Sequence, residues 1–195
     1  RRGWSREGVA GRVRETPHRL IGGAGIDTVS FRSNGTDTLG GVSVDLNLQS
    51  MVQDTGQGMS FLKQIEWLSG SFHDDVFFGS ATANLLAGSY GDDTLKGNGG
   101  GDILYGDGVV RIDAPHGTSG PIVVLTQEVE VTGDASVGGD KLYGNGGADV
   151  LIGGFGHDEL TGGSGHDTFH FNAIEDCLLA SPDHVFDFRM TDTVN

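Results

Sequence analysis

The sequence lacks several features that common protein classes require. Its 195 residues contain one cysteine, Cys177, so no disulfide can form within the chain. The longest candidate apolar run, 122–125, is far shorter than the ~18 residues of a membrane span. The zinc-protease spacing H-E-x-x-H is missing, and the segment 162–166 lacks the final glycine of a G-x-S-x-G nucleophile elbow. These absences argue against a disulfide framework, a helical membrane span and the common hydrolases.

Basic residues are also scarce, and they are unevenly placed. The chain has 12 Lys and Arg against 27 Asp and Glu, a net charge of −15. Residues 1–19 hold six of the basic and two of the acidic residues, so the remainder carries 6 against 25, a net of −19. Such a surface repels nucleic acid and anionic membranes and attracts cations. We predict that 1–19 is flexible; the Arg-Arg start without an apolar signal core suggests a fragment or a processed product.

Glycine is abundant, with 35 residues, and much of it falls in a nine-residue repeat. Eight nonapeptides align in phase, at 70–78, 79–87, 88–96, 97–105, 135–143, 144–152, 153–161 and 162–170, and an isolated copy lies at 22–30. The sixth position carries a carboxylate or a carboxamide side chain: Asp75, Asn84, Asp93, Asp102, Asp140, Asp149, Asp158 and Asp167. The eighth position is a large apolar residue: Phe77, Leu86, Leu95, Leu104, Leu142, Leu151, Leu160 and Phe169.

This pattern predicts an all-β fold, a right-handed parallel β-roll. The residues around the eighth position suffice for a short strand, and the glycine-rich residues before it can reverse the chain tightly. Two strands and two turns make one flat coil per two repeats. Stacked coils bury the eighth-position side chains between two parallel sheets.

Stacking places sixth-position carboxylates one above another, about 4.8 Å apart. At that distance two carboxylates repel by about 3–4 kcal/mol at an effective dielectric near 20, and a cation between the turns removes the repulsion. Carboxylate and carbonyl oxygens on a flexible loop suit calcium better than magnesium. The alternative is that aspartate only closes turns, but asparagine and serine would serve equally, and this position has one asparagine.

The pattern G-G-x-G-x-D-x-U-x resembles the RTX (haemolysin-type calcium-binding) family. The resemblance implies several Ca²⁺ ions, type I secretion to the extracellular space, and main-chain carbonyls at positions two and four as further ligands. The metal ligands expected on this basis are Asp75, Asp93, Asp102, Asp140, Asp149, Asp158 and Asp167 with Gly91, Gly100, Gly138, Gly147, Gly156 and Gly165. His73 and Thr82 replace glycine at position four and Asn84 is neutral, so the first coil is expected to bind calcium weakly or not at all.

The remaining segments are interpreted around the roll. We predict a β-rich cap at 20–69, which includes a half-buried strand over 42–48, and the calcium-binding roll at 70–171. We interpret the residues at about 109–137 as an inserted loop that contains a strand or hairpin beside the roll. The segment 172–195 resembles the element that closes many RTX rolls. His157 and His166 are interpreted as solvent-facing turn residues, and Cys177 as an incidental thiol.

Two function classes stay open at this point. In one, the chain is a calcium-binding module of a secreted protein that folds on calcium binding after export. In the other, it is the non-catalytic tail of a secreted metalloprotease, lipase or alginate epimerase. We expect no catalytic residues within the chain and no nucleic-acid partner; an anionic polysaccharide or a cell-surface partner is conceivable.

Overall fold

A computed structural model describes residues 17–31, 40–111, 123–126, 138–171 and 182–195. Apart from a 3₁₀ helix at Leu46–Leu48, the regular elements of these ranges are strands. They are β1 His18–Ile21, β2 Thr28–Ser30, β3 Ser43–Asp45, β4 Val52–Asp54, β5 Met59–Lys63, β6 Trp67–Ser69, β7 Val76–Phe78, β8 Leu85–Ala87, β9 Thr94–Gly99, β10 Ile103–Tyr105, β11 Gly108–Arg111, β12 Val123–Thr126, β13 Lys141–Gly146, β14 Val150–Ile152, β15 Glu159–Ser164, β16 Thr168–Phe169, β17 His184–Val185 and β18 Thr193–Val194. Nothing helical in the described ranges is long and apolar enough to cross a membrane.

Two parallel sheets form the body of the molecule. One has the order β18-β16-β14-β10-β8-β6-β2 and the other the order β17-β15-β13-β9-β7-β3. Within the repeats, each strand pairs with the strand two repeats later, so Leu86 lies beside Leu104 and Phe77 beside Leu95. Consecutive repeats therefore alternate between the sheets. The predicted parallel β-roll is confirmed.

The eighth-position side chains fill the space between the two sheets. All eight are fully buried: Phe77, Leu86, Leu95, Leu104, Leu142, Leu151, Leu160 and Phe169. They belong to one apolar cluster that continues into the cap through Val29, Val44 and Leu68. Because a single coil has no layer above or below it, this core exists only in the stack.

We expect Leu151→Ala to destabilise the folded roll by about 2–5 kcal/mol, because the truncation leaves a cavity in a packed core. The measurement is denaturant unfolding in saturating calcium. Val150→Ala is the matched control, since the neighbouring side chain is only half-buried on the outer face of the same strand. Equal losses for the two variants would contradict this account of the core.

The N-terminal cap extends the roll rather than merely covering it. Strands β6 and β3 pair with β8 and β7, the strands of the first full coil, and β2 pairs with β6. The isolated repeat 22–30 therefore supplies an edge strand of the first sheet. Strands β1, β5 and β4 form a separate three-stranded sheet.

The predicted strand over 42–48 is wrong in its second half. The strand ends at Asp45, whose carboxylate accepts a hydrogen bond from the main-chain N–H of Asn47 at 2.8 Å. This capping contact starts the 3₁₀ turn Leu46–Leu48, and the turn leaves Leu48 38 % exposed. An apolar pattern with a period of two does not reveal a side-chain hydrogen bond that competes with the strand.

The insertion interrupts the roll without changing its phase. Leu104 pairs with Leu151 and Leu95 with Leu142, so the strands on either side of the insertion are direct neighbours. Within the insertion, β11 and β12 form an antiparallel hairpin. Residues 112–122 and 127–137 lie outside the described part of the chain, as do residues 1–16 and Cys177.

Candidate cation sites along the two edges of the roll

The sixth-position side chains form two hydrogen-bonded columns, one at each edge of the roll. Along the first edge, the N–H of Asp75 donates to Oδ1 of Asp93 at 2.7 Å and the N–H of Asp93 to Oδ1 of Asp140 at 2.7 Å. The N–H of Asp140 continues the column to Oδ1 of Asp158 at 2.8 Å. The stacked arrangement expected from the repeat is therefore present, with an N–H between successive carboxylates.

The second edge repeats this arrangement. The N–H of Asn84 donates to Oδ1 of Asp102, and that of Asp102 to Oδ1 of Asp149, both at 2.8 Å. The N–H of Asp149 then donates to Oδ1 of Asp167 at 3.1 Å. One oxygen of each of these carboxylates thus serves the stack, a use that the repeat pattern does not reveal.

The other carboxylate oxygen, Oδ2, differs from Oδ1 in its hydrogen bonding. Within the described residues, Oδ2 is buried without a hydrogen-bond partner in five of the carboxylates: Asp93, Asp102, Asp140, Asp149 and Asp167. Each of these residues is at most 1 % exposed. The ion pairs found in the described ranges, Lys141 with Glu159 and Arg189 with Asp187, do not include any of the five. A buried ionised carboxylate oxygen without a partner is costly, and this oxygen is free to accept a cation or a proton.

Glycine at position one provides the space for that oxygen. A Cβ added at Gly88 would lie 1.9 Å from Oδ2 of Asp93, and one added at Gly162 would lie 2.5 Å from Oδ2 of Asp167. The carboxylate therefore packs directly against the glycine Cα. At this position the requirement for glycine is close approach, not a left-handed backbone.

We expect Gly144→Ala to cost about 1–3 kcal/mol of folding free energy, because its Cβ would displace the Asp149 carboxylate. A Cβ there would also lie 2.5 Å from the Gly162 carbonyl oxygen. Gly146→Ala is the control, since its nearest contacts would be at an ordinary 3.5 Å. Calcium-saturated thermal unfolding compares the two variants, and equal melting temperatures would show that the turn can adjust.

Glycine at position four has the opposite role, because its backbone is left-handed. Its φ is 112° at Gly91, 110° at Gly100, 144° at Gly147, 122° at Gly156 and 146° at Gly165. The carbonyl oxygens of Gly91, Gly100, Gly138 and Gly147 each lie against the Cα of the position-four glycine in the next coil. Main-chain carbonyls therefore stack along the same edges as the carboxylates.

The electrostatics of the columns disfavour charge when no cation is present. Burial is the main cause that raises the pKa of Asp93 to about 8, and the charges of Asp75 and Asp107 raise it further. Burial likewise raises the pKa of Asp102 to about 7. The pKa of Asp140 is raised well above its ordinary value by burial and then by the charge of Asp93. The main-chain hydrogen bonds oppose these shifts without cancelling them.

The first coil differs from the others. Both oxygens of Asp75 accept hydrogen bonds, Oδ1 from the N–H of Val42 and the hydroxyl of Ser71, and Oδ2 from the N–H of Ser71. The amide of Asn84 is also satisfied, through Ser80 and the carbonyl of Glu66. Asp75 was predicted as a ligand, but in this geometry its carboxylate already has partners within the protein.

The C-terminal segment contains two sixth-position equivalents that sequence reasoning missed. Asp183 accepts the N–H of Asp158 at 3.0 Å, and Asp192 accepts that of Asp167 at 3.2 Å. Val185 and Val194 follow two positions later, and they pair with Leu160 and Phe169. The signal was available as two aspartates nine residues apart, each two residues before a valine, but glycine is absent from both turns.

His157 and His166 are exposed, as predicted, and they also contact this final coil. Nδ1 of His157 lies within hydrogen-bond reach of the Pro182 carbonyl, and Nδ1 of His166 lies 3.2 Å from the Thr191 carbonyl. Each histidine follows position four of its repeat and meets the residue before an aspartate of the last coil. Their position favours a role in holding the coil, not in binding a metal.

No three His, Cys, Asp or Glu side chains in the described ranges are grouped closely enough to hold an ion by themselves. The available donors are instead one carboxylate per turn and the stacked main-chain carbonyls. This all-oxygen set matches hard cations such as calcium and offers no soft ligand for transition metals.

Comparison with known proteins identifies the repeat. Residues 78–108 and 134–169 match the family model of the RTX calcium-binding nonapeptide repeat, in four copies. The match includes the five carboxylates with an unpartnered oxygen and excludes Asp75, Asp183 and Asp192. A search of curated proteins gives no match.

Proposed function

The chain carries the RTX calcium-binding nonapeptide repeat, and we propose on this basis that it is the calcium-binding module of a secreted protein and folds on calcium binding after export. The observation that supports this most directly is the set of five buried carboxylate oxygens without a partner. Structural hydrogen bonds use the other oxygen of each carboxylate. A cation would complete the coordination of the second oxygen.

The proposed ligands are the sixth-position carboxylates of the coils after the first, together with main-chain carbonyls of the turns. The carboxylates are Asp93, Asp102, Asp140, Asp149, Asp158 and Asp167, and the carbonyls are those of Gly91, Gly100, Gly138, Gly147, Gly156 and Gly165. Calcium would supply positive charge between coils whose carboxylates otherwise repel. It accepts 6–8 oxygen ligands in flexible geometry, which suits turns built largely from main chain.

Secretion fits the coupling between metal and folding. Binding energy for an ion that bridges two turns is also folding energy. A chain of this kind stays unfolded where free calcium is low and folds where it is high. We propose no catalytic role for these residues, because the matched family is a calcium-binding repeat.

The test is a comparison of two aspartate-to-asparagine variants by calcium titration calorimetry. Asp149→Asn keeps an oxygen to accept the Asp102 N–H but removes the charge of a buried carboxylate, so we expect it to lose one equivalent of bound calcium. Asp92→Asn is the control, because Asp92 is exposed and precedes Asp93 in another turn. Unchanged stoichiometry and affinity in Asp149→Asn would contradict the proposed site.

A further inference from the structure

Two turns of the roll form a natural matched pair. The segments 70–75 and 88–93 read GSFHDD and GSYGDD, so they differ only at the third and fourth positions. The third residues are both aromatic, Phe72 and Tyr90, and their rings stack at 5.4 Å. The difference of consequence is therefore His73 against Gly91.

The turn with His73 closes on its own carboxylate. The hydroxyl of Ser71 donates to Oδ1 of Asp75 at 2.9 Å, and the N–H of Ser71 donates to Oδ2 at 2.6 Å. The same hydroxyl accepts the N–H of His73 at 3.1 Å. Both carboxylate oxygens are thus hydrogen-bonded within the turn, including Oδ2, the oxygen that has no partner in five of the later turns.

The next turn along the chain closes in the same way. Its position four is Thr82, and the N–H and hydroxyl of Ser80 both lie within hydrogen-bond distance of Oδ1 of Asn84, at 2.6 and 3.1 Å. The N–H of Thr82 donates to the Ser80 hydroxyl at 3.2 Å. A non-glycine residue at position four therefore coincides twice with a closed turn.

The turn with Gly91 is open although it has the same serine. Ser89 has a φ of 95° and Gly91 a φ of 112°, and the N–H of Ser89 donates to the Gly106 carbonyl of the next coil at 3.0 Å. The Ser89 hydroxyl and Oδ2 of Asp93 are both buried without a partner. Ser71 therefore hydrogen-bonds the carboxylate of its own turn, whereas in the second turn the Ser89 hydroxyl and Oδ2 of Asp93 have no partner.

Glycine at position four is what permits the open form. Glycine adopts a φ of 112° without strain, whereas residues with a Cβ rarely adopt it. A Cβ at Gly91 would also lie 2.6 Å from the main chain of His73 and Asp74. Histidine or threonine at this position therefore forces the other backbone path, in which the position-two N–H turns inward to the carboxylate.

We propose that the residue at position four decides whether a turn binds a cation or closes on itself, and that the closed coil 70–87 is ordered without calcium. The proposal rests on the proposed calcium-binding function. The closed coil is also paired with cap strands β3 and β6, so it offers a metal-independent base on which the calcium-dependent coils stack.

The experiment exchanges the matched residues in the full chain. Native mass spectrometry at saturating calcium counts the ions in wild type, His73→Gly and Gly91→His, and circular dichroism verifies that each variant is folded. We expect one additional ion in His73→Gly and one fewer in Gly91→His. Hydrogen exchange of the wild type in chelator is the second measurement, and we expect slow exchange in 70–87 and fast exchange in 88–105.

The outcomes distinguish a failure of this inference from a failure of the proposed calcium-binding function on which it rests. A wild type that binds no calcium overturns the proposed function itself. A wild type that binds calcium, with the same ion count in both variants, overturns the role of position four alone. If His73→Gly does not fold, the count in Gly91→His decides. Equal exchange in 70–87 and 88–105 in chelator overturns the metal-independent coil.

Discussion

In excess chelator at neutral pH, the coils beyond residue 87 are expected to lose most of their β-structure and to regain it as calcium is added. Without the ion, five buried carboxylate oxygens have no partner, and the stacked carboxylates either repel or take up protons that the unfolded chain does not bind. Ordering the glycine-rich turns carries a large conformational-entropy cost, and the single cysteine leaves the chain without a disulfide. Calcium binding offsets the unpartnered oxygens, the repulsion and the entropy cost, so its binding energy appears as folding energy.

Circular dichroism during a calcium titration measures this transition. We expect a midpoint of about 10⁻⁴–10⁻³ M, the range of extracellular calcium modules. Magnesium at the same concentrations is the control, because its strict octahedral geometry suits these flexible turns poorly. A chelated protein with the full β signal and the melting temperature of the calcium form would show that the ion is not needed for folding.

Acidification is expected to have opposite effects on the calcium-bound and metal-free protein. Burial raises the pKa of Asp93 to about 8 and that of Asp102 to about 7, whereas an unfolded aspartate titrates near 3.9. Between these values the folded metal-free state binds more protons than the unfolded state. Its stability therefore falls as pH rises through this window and increases on acidification.

Calcium affinity depends on pH in the opposite direction and falls on acidification, because the ligands must be deprotonated. For the metal-free protein that is folded, we expect the apparent calcium affinity of a turn such as that of Asp93 to fall by about tenfold per pH unit below pH 8, one proton being released per ion. Circular dichroism at pH 5 and pH 8, with chelator and with limiting calcium, measures both effects. A β signal in chelator that is no greater at pH 5 than at pH 8 would contradict the assignment of the raised pKa values to the folded roll.

The sequence alone predicts most of the roll because its two strongest constraints are periodic. The apolar eighth position and the acidic sixth position recur every nine residues, so sheet alternation and edge placement follow from counting. The insertion did not hide this, since Asp102 and Asp149 are separated by 47 residues, which is the two-repeat spacing plus the 29 inserted residues. The burial of Leu151 and the columns of aspartates were expected on these grounds.

Two departures from the repeat pattern share a physical cause, which is that local hydrogen bonds can replace those that the repeat's usual residues make. Asp75 matches the repeat, yet Ser71 satisfies both of its oxygens. Asp192 lies in a segment with no glycine, yet it accepts the N–H of Asp167. In the first case a residue that matches the repeat is already hydrogen-bonded within its own turn, and in the second a column continues where the motif has ended.

By itself, the sequence determined the coil length, the alternation between two sheets and the residues that face the core, because these depend on spacing and on the size of side chains. The tertiary structure decided which oxygen of each carboxylate serves the stack and which is left bare. It also decided which turns close on themselves and where the columns end. Those outcomes depend on the backbone path of each turn and on the N–H groups of the adjacent coil, and neither is visible until the coils are stacked.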